Sequence, residues 1–238
     1  MANAIRTLWD QLFITHRLHV SQAGQDYWVY GEVFNEKKRG FFLDVGAHDG
    51  VRYSNTFLLE KRYRWKGICV EGNPDTFKNL CRARSAICVN ACLDGVEGEV
   101  SFAKRGVLGG IVAKDTDNVS DGGDKRDIIV MKTRTLESVL VENKAPSVID
   151  YLSLDVEGAE DRVLLGFDFT RYQFNAVTIE RPSSALREVL TRHGYLLIKE
   201  MPGLDCYFIH SSFQDDYMKN VYRFHRRKHR LLAGGKQK

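Results

Sequence analysis

Short apolar runs alternate with longer stretches of helix-like periodicity along this chain, and that alternation predicts an α/β fold. The first run, residues 41–45, is bounded by Gly40 and Gly46. It is too short and too apolar for a surface helix and fits a strand covered on both faces. Similar runs recur at residues 67–71, 86–91, 148–154 and 176–179. Helical patterns fall between them at residues 51–63, from Asn73 to about Arg84, and at 136–143. Pro74 at a first helical position and Asp75 near the positive end of the dipole mark the second of these starts. Upstream, Ile5, Leu8 and Leu12 give residues 5–18 an amphipathic face, and residues 27–34 read as a helix leading into the first strand. Gln22 and Asp26, in the turn between them, are candidates to face a site.

Two further short strands are expected at residues 99–103 and 127–133. Between them periodicity disappears: residues 104–126 contain Gly106, Gly109, Gly110, Gly122 and Gly123 among Asp and Ser. A gap of that length inside a compact domain predicts a mobile loop over the site.

Composition narrows the organisation. A chain of 238 residues with 43% hydrophobic residues can build one sizeable core. The expected layout is an N-terminal helix over residues 1–20, one domain over 21–213 and a basic tail over 214–238. Five cysteines without a C-x-x-C pair fit core thiols in a reducing compartment better than disulfides or zinc. No apolar run approaches the roughly 20 residues of a membrane helix, and no basic-then-apolar leader opens the chain, so the expected location is cytoplasmic. The net charge of +4 is carried by the tail, where eight Lys/Arg stand against Asp215 and Asp216. A solvated end explains such a tail, and so does an acidic partner. Tyr217, Tyr222 and Phe224 would stack on nucleic acid, or Val221, Tyr222, Phe224, Leu231 and Leu232 would dip into an anionic membrane surface.

The chemistry concentrates at strand ends. Gly46 and Gly50 are spaced G-x-x-x-G, which argues against the dinucleotide fingerprint G-x-G-x-x-G. They let the backbone turn close to a ligand, with the N-terminus of the following helix offered to an anion. Glu71 follows Gly50 by 21 residues, close to the spacing at which a strand-end acid accepts from both ribose hydroxyls. Asn90 and Cys92, just past the third strand, are candidates for a purine edge. Asp155 and Glu157 end the run at 148–154, and Glu180 ends the run at 176–179, so Asp44, Glu71, Asp155 and Glu180 place four carboxylates at strand ends.

The succession SQAGQD, LDVGAHDG, SNTFLLEKRYRWKGICVEGNPDTF, CVNA, SLDVEGAEDRVLLGFDF and VTIER resembles the FkbM family of S-adenosylmethionine-dependent methyltransferases over about residues 20–210. The resemblance implies a Rossmann-like class I methyltransferase: a mostly parallel seven-stranded sheet flanked by helices, with a C-terminal antiparallel hairpin at residues 195–201 and 205–210. It implies S-adenosylmethionine contacts at Asp44, Gly46, Ala47, His48, Gly50, Asn55, Glu71, Gly72, Asn90, Cys92 and Asp155. Gly72 departs from the family, which has proline after the acid. The implied activity is O-methylation of a sugar, glycan or natural-product hydroxyl.

Methyl transfer to oxygen is an in-line displacement, so the protein must align the acceptor and receive its proton. Asp155, Glu157, His48 and Glu180 are the candidate bases, with the Asp155/Glu157 pair first. No metal is predicted; as an alternative, Asp155 and Glu157 could hold a divalent cation through hard oxygen ligands. Two other functions stay open, a nucleic-acid methyltransferase and a non-catalytic membrane-associated protein that keeps the fold.

Overall fold

The computed structural model describes residues 20–119 and 127–234, with side chains as far as residue 229. The helix expected at residues 5–18 and the glycines Gly122 and Gly123 lie outside these residues. The described chain opens with α1 (Gln25–Tyr27), which runs into a π-helical turn, Trp28–Val33, before β1 (Phe41–Val45). Then come α2 (Phe57–Lys61), β2 (Lys66–Glu71), α3 (Pro74–Ala83) and β3 (Ile87–Asn90). Four strands, β4 (Cys92–Leu93), β5 (Gly98–Ala103), β6 (Gly110–Ile111) and β7 (Ile128–Arg134), precede α4 (Leu136–Glu142), β8 (Val148–Leu154), α5 (Glu160–Leu164) and β9 (Gln173–Glu180). The chain continues through α6 (Ser184–Arg192), the hairpin β10 (Tyr195–Glu200) and β11 (Asp205–His210), and α7 (Gln214–Gly234).

The main sheet has seven strands in the order β10-β11-β9-β8-β1-β2-β3. All pairings are parallel except those of β11, which runs antiparallel to both β9 and β10. This is the expected Rossmann-like sheet with its C-terminal hairpin. The chain winds outward from β1 through β2 to β3 and then returns to the other side of β1 at β8. The connections leaving the carboxyl ends of β1 and β8 therefore run to opposite sides at the switch point, where an open α/β sheet leaves a crevice.

Alternation along the central strands explains why both faces are covered. Leu43, Val45, Ile68, Val70, Leu152 and Leu154 pack into one core, while Phe42, Cys69, Tyr151 and Ala176 pack into the other. Asp44 shares the Phe42 face, where its carboxylate meets Thr56 and Arg84 at the edge of the crevice.

The structure departs from sequence expectation in four places. The helix after β1 begins at Phe57, not at residue 51, because local side chains capture the backbone first. Asp49 Oδ1 accepts from the amides of Val51 and Arg52, and Ser54 Oγ accepts from those of Thr56 and Phe57. Second, β5 and β7 are not isolated strands but the centre of a second sheet, β4-β7-β5-β6, stacked beside the site. Third, Cys81 is exposed and Cys88 half-buried, so the core-thiol expectation holds only for Cys69, Cys92 and Cys206. Fourth, the basic end is not a free tail: α7 lays Tyr217, Asn220, Val221 and Phe224 on the Trp28–Val33 turn. Gly31 makes room there, since a Cβ would sit 2.6 Å from the Phe224 ring. Asn220 Nδ2 donates to the Val33 carbonyl, and Arg227 pairs with Glu36 at 2.5 Å. No described helix is long and apolar enough to cross a membrane.

Candidate active site

The floor of the crevice is Gly46. It adopts φ +84°, and a Cβ there would lie 1.7 Å from the Asp155 carbonyl oxygen. Glycine is required on both counts, by the left-handed backbone and by the close approach of β8. The Asp155 amide donates to the Val45 carbonyl at 3.0 Å, and the amides of Gly46 and Ala47 both donate to the Val70 carbonyl. The ends of β1, β2 and β8 are thus tied together by backbone bonds.

Glu71 closes the next side. Its Oε2 accepts from the His48 amide and its Oε1 from the Asn73 amide, both at 2.7 Å. Burial pushes its carboxyl above the usual range, opposed by those two amides, and each oxygen keeps a lone pair for a further donor. Beyond Glu71 lies a narrow apolar slot walled by Val70, Cys92, Phe102 and Ile111. Gly72 lets the Phe102 ring close on it, because a Cβ would meet that ring at 2.7 Å. Burial, then the negative charges of Asp94 and Glu71, push the Cys92 thiol up to about 12, so it acts as an uncharged wall. A carboxylate beside a slot of this shape suits a ribose and a purine, and the residues present fit that group.

The slot opens at Gly46 and Asp155 into a cavity of about 630 Å³. Asp44, Asn55, His48 and Ser153 line one side; Asp155, Glu157, Glu180, Arg181, Asp117 and Asn118 line another. Three buried side-chain polar atoms lack a hydrogen-bond partner among the described residues, His48 Nδ1, Asn55 Oδ1 and Asn118 Nδ2, whereas Glu180 Oε2 lies 3.0 Å from the Arg181 guanidinium. All three belong to this one cavity. Leaving a buried polar group unpaired costs about 1–3 kcal/mol, so the clustering marks groups that await a ligand. Backbone strain gathers here as well: His48, Tyr53, Glu157 and Arg181 have φ of 49°, 58°, 56° and 40° and all line the cavity.

The acids are electrostatically coupled. Burial first, then Glu180 and Glu157, hold the Asp155 carboxyl well above the usual range. Glu157 is pushed up to about 7 by burial and by Glu180, against the pull of Arg181. Glu160, in the first turn of α5, is buried and also raised to about 7, chiefly by burial. Arg181 pairs with Glu180 at 3.0 Å and with Asp117. Carboxylate oxygens come within 4.8 Å of one another in two triads, Asp155/Glu160/Glu180 and Asp117/Glu157/Glu180. A hard cation would find its ligands in either. Asp155 and Glu157, the pair suggested by sequence, fall in different triads, with Glu180 common to both.

Several expected contacts are used differently. Gly50 does not line the cavity; its missing side chain accommodates Leu80 and Arg84, 2.6 and 2.7 Å from a hypothetical Cβ. The N-terminus of α2 offers nothing to an anion, because its N-cap Thr56 is buried and donates to Asp44 Oδ2 at 2.5 Å. Asn90 is exposed and spends its amide on the carbonyls of Glu71 and Gly72, bracing the strand end instead of lining the slot. Of the two early candidates, Gln22 lines the cavity, whereas Asp26 is fully buried and accepts from Ser21. Tyr217 and Phe224 are buried under α7 and are not free to stack on bases.

Sequence reasoning missed Arg84, Phe102, Asn118, Ser153 and Arg181. Arg84 is the most consequential. Its fully buried guanidinium donates to Glu60 Oε2 (2.8 Å), Thr56 Oγ1 (2.9 Å), Ser54 Oγ (3.2 Å) and the Gly50 carbonyl (3.2 Å), and lies 3.9 Å from Asp44. It therefore holds the whole turn that delivers His48 and Asn55. The loop carrying Asn118 is fastened by Arg162, which donates to both Asp115 oxygens, and by the Arg181–Asp117 pair.

A family model described as Methyltransferase FkbM domain matches residues 44–197. No curated protein matches the chain by sequence. Among solved structures, the METTL16 MTase domain aligns at 10% identity and a TM-score of 0.46, covering 78% of this chain and 65% of that one, so the chain spans just under two thirds of its length. A TehB-like SAM-dependent methyltransferase from Corynebacterium glutamicum aligns at 11% identity and 0.42, covering 88% and 100%. M. jannaschii TYW2 in complex with AdoMet aligns at 14% and 0.38, covering 81% and 78%. These distant likenesses carry no information about an acceptor.

Proposed function

The chain belongs to the FkbM methyltransferase family, and on that premise we propose that it methylates a hydroxyl of a sugar, glycan or glycosylated natural product with S-adenosylmethionine as donor. The observation that carries the reading is the continuity of two unlike spaces across Gly46. A narrow apolar slot beside the Glu71 carboxylate shares Gly46 and Asp155 with an acid-lined cavity that holds the unpaired buried polar atoms. Bound S-adenosylmethionine supplies a sulfonium methyl; the acceptor O–C bond forms as the S–C bond breaks, leaving S-adenosylhomocysteine.

The chain's own groups supply the rest. Glu71 accepts from the ribose hydroxyls, and Phe102 and Cys92 exclude water from the purine. Asn55 Oδ1, held by its Nδ2 bond to Ser153 Oγ at 2.9 Å, accepts from an ammonium or hydroxyl donor. Asp155 and Glu180 complement a cationic sulfur, and whichever of the coupled acids is ionised takes the acceptor proton. A hydroxyl needs such a base because it is a weak acid, and carboxyls lifted toward neutrality are better matched to it than ordinary ones. The buried, unsatisfied cavity also favours an enzyme over a fold kept for docking alone, since a non-catalytic protein gains nothing from its cost.

The test is a calorimetric titration of wild type and Glu71→Ala with S-adenosylmethionine and S-adenosylhomocysteine. We expect binding by the wild type and at least ten-fold weaker binding by the variant. Equal affinities would overturn the ribose assignment, and no binding by either would overturn the enzyme reading. Label transfer from methyl-tritiated S-adenosylmethionine to sugars, glycolipids and RNA then identifies the acceptor; transfer to RNA alone would overturn the carbohydrate assignment.

A further inference from the structure

The buried and exposed walls of the cavity differ in character. Its interior residues are mainly polar, with carboxylates at Asp44, Asp155, Glu157 and Glu180. Its exposed lining residues include Arg52, Tyr53, Arg105, Val107, Leu108, Gly203 and Leu204, together with the paired Asp117 and Arg181. Four of these are large apolar or aromatic side chains left in water, with Tyr53 47%, Val107 41%, Leu108 61% and Leu204 36% exposed. Isolated exposed apolar residues are ordinary, but four around one opening form a patch that favours an apolar occupant.

Two of the three rim arginines hold no carboxylate. Among the described residues neither Arg52 nor Arg105 forms an ion pair, whereas Arg84, Arg162 and Arg181 each hold carboxylates. Arg52 instead lies against the Tyr53 ring, with Cζ 4.9 Å from its centroid and Nη2 donating to the Tyr53 hydroxyl at 3.4 Å. An arginine stacked on tyrosine keeps its outward N–H groups available for a carboxylate or phosphate. Cations at the rim and acids inside also bias which end of an acceptor enters: a neutral hydroxyl-bearing part is drawn inward, and an anion is repelled from the interior.

Resting on the methyltransferase reading, we infer that the acceptor is an anionic amphiphile. Its hydroxyl-bearing part enters toward Asp155, its apolar part lies on Val107, Leu108, Tyr53 and Leu204, and its anionic group sits between Arg52 and Arg105. A lipid-linked sugar phosphate and a free acidic natural product share this chemistry. Neither the acids nor the family assignment requires it.

The test is calorimetric binding to the S-adenosylhomocysteine-loaded protein, with each probe below its critical micelle concentration. Decyl phosphate carries charge and chain, glycerol 1-phosphate charge alone, and decyl maltoside chain alone. Decyl phosphate is expected to bind at least ten-fold more tightly than either of the others. The Arg52→Gln/Arg105→Gln double variant should lose that advantage while keeping its decyl maltoside affinity, and Leu108→Ser should weaken both chain-bearing probes. Equal binding of decyl phosphate and decyl maltoside, or an unaffected double variant, overturns the anionic group; equal binding of decyl phosphate and glycerol 1-phosphate overturns the apolar part. Loss of S-adenosylhomocysteine binding in wild type would instead mark failure of the methyltransferase reading. Vesicles containing phosphatidic acid separate the sources: sedimentation with them supports a lipid-borne headgroup, whereas binding of monomeric decyl phosphate without sedimentation supports a free acid.

Discussion

Replacing Arg84 by methionine removes a cation but keeps much of its buried stem, so the effect isolates the guanidinium. That group is fully buried and faces two buried carboxylates, Glu60 at 2.8 Å and Asp44 at 3.9 Å. Burial alone would raise Glu60, but hydrogen bonds from Lys61, the Ser85 amide and Arg84 bring it below its ordinary range. Asp44 is raised by burial, and Arg84 is the leading opposing influence. Breaking a buried pair from one side costs about 3–5 kcal/mol, because the remaining charge is left uncompensated. For a chain of this size each kcal/mol moves Tm by about 2–4 °C, which gives a drop of about 6–20 °C. In the variant Asp44, already raised in the wild type, rises further, and Glu60 loses one of the bonds that lower it, so the folded-state pKa moves up for both carboxyls. Their penalty is then absent below the unfolded pKa and grows as pH rises through the folded one, so the deficit should shrink toward about pH 4. Urea denaturation of wild type, Arg84→Met and the exposed control Arg82→Met across that range measures it. A loss below 1 kcal/mol near neutrality, or one independent of pH, would refute the clamp. Any folded Arg84→Met should also bind S-adenosylmethionine more weakly, because the turn bearing His48 and Asn55 is no longer held.

Gly46→Ala and Gly24→Ala form a matched pair: φ is +84° and +79°, but only the first would place a Cβ against backbone, the second meeting nothing within 4 Å. Gly24→Ala should cost about 1–2 kcal/mol from the left-handed conformation alone, whereas Gly46→Ala should cost more and abolish cofactor binding; equal urea midpoints would contradict this. Carboxyl ¹³C NMR should show two glutamates titrating near pH 7, with one step missing in Glu157→Gln and the other in Glu160→Gln. Since both folded values lie above 4.5, both acids withdraw stability as pH rises from there toward about 7, and Glu160→Gln should flatten that decline; glutamates that all titrate below 5 would dismiss the coupling. Asn118→Leu should raise KM for the acceptor by about ten-fold or more, the loss of one hydrogen bond, with cofactor affinity unchanged; an unchanged KM would remove Asn118 from acceptor recognition.

Much of the scaffold was legible because its signals are local. β1 and β8 have the predicted limits since each is a mainly apolar run closed by glycine or acid, and the Asn73–Pro74–Asp75 start of α3 appears with Asn73 accepting from the Asp75 amide. Strand-end logic likewise brought Gly46, Glu71, Asp155, Glu157 and Glu180 to one place. What escaped depends on partners distant in sequence. Arg84 looks like an ordinary basic residue at a helix end, and only its approach to residues 44–60 gives it a function. Asn118 sits in a stretch without periodicity, fixed by ion pairs to Arg162 and Arg181. The amphipathic signal of α7 was read as a tail because Gly31, the residue that receives Phe224, lies 193 positions earlier. For Gly50 the residue type was read correctly and the reason was not: its neighbour is a side chain of this protein and not a ligand.

Glu71 has a thermodynamic consequence. Its two oxygens already anchor the amides of His48 and Asn73, so the carboxylate is immobilised before any nucleoside arrives. A ribose meeting it need not organise either loop, and the rotameric entropy usually surrendered on association has been settled during folding. Recognition at that position should therefore behave as a rigid lock, with affinity gained through enthalpy and little change in backbone order on saturation. Adaptation to new acceptors can then proceed at the rim without loosening the grip on the nucleoside.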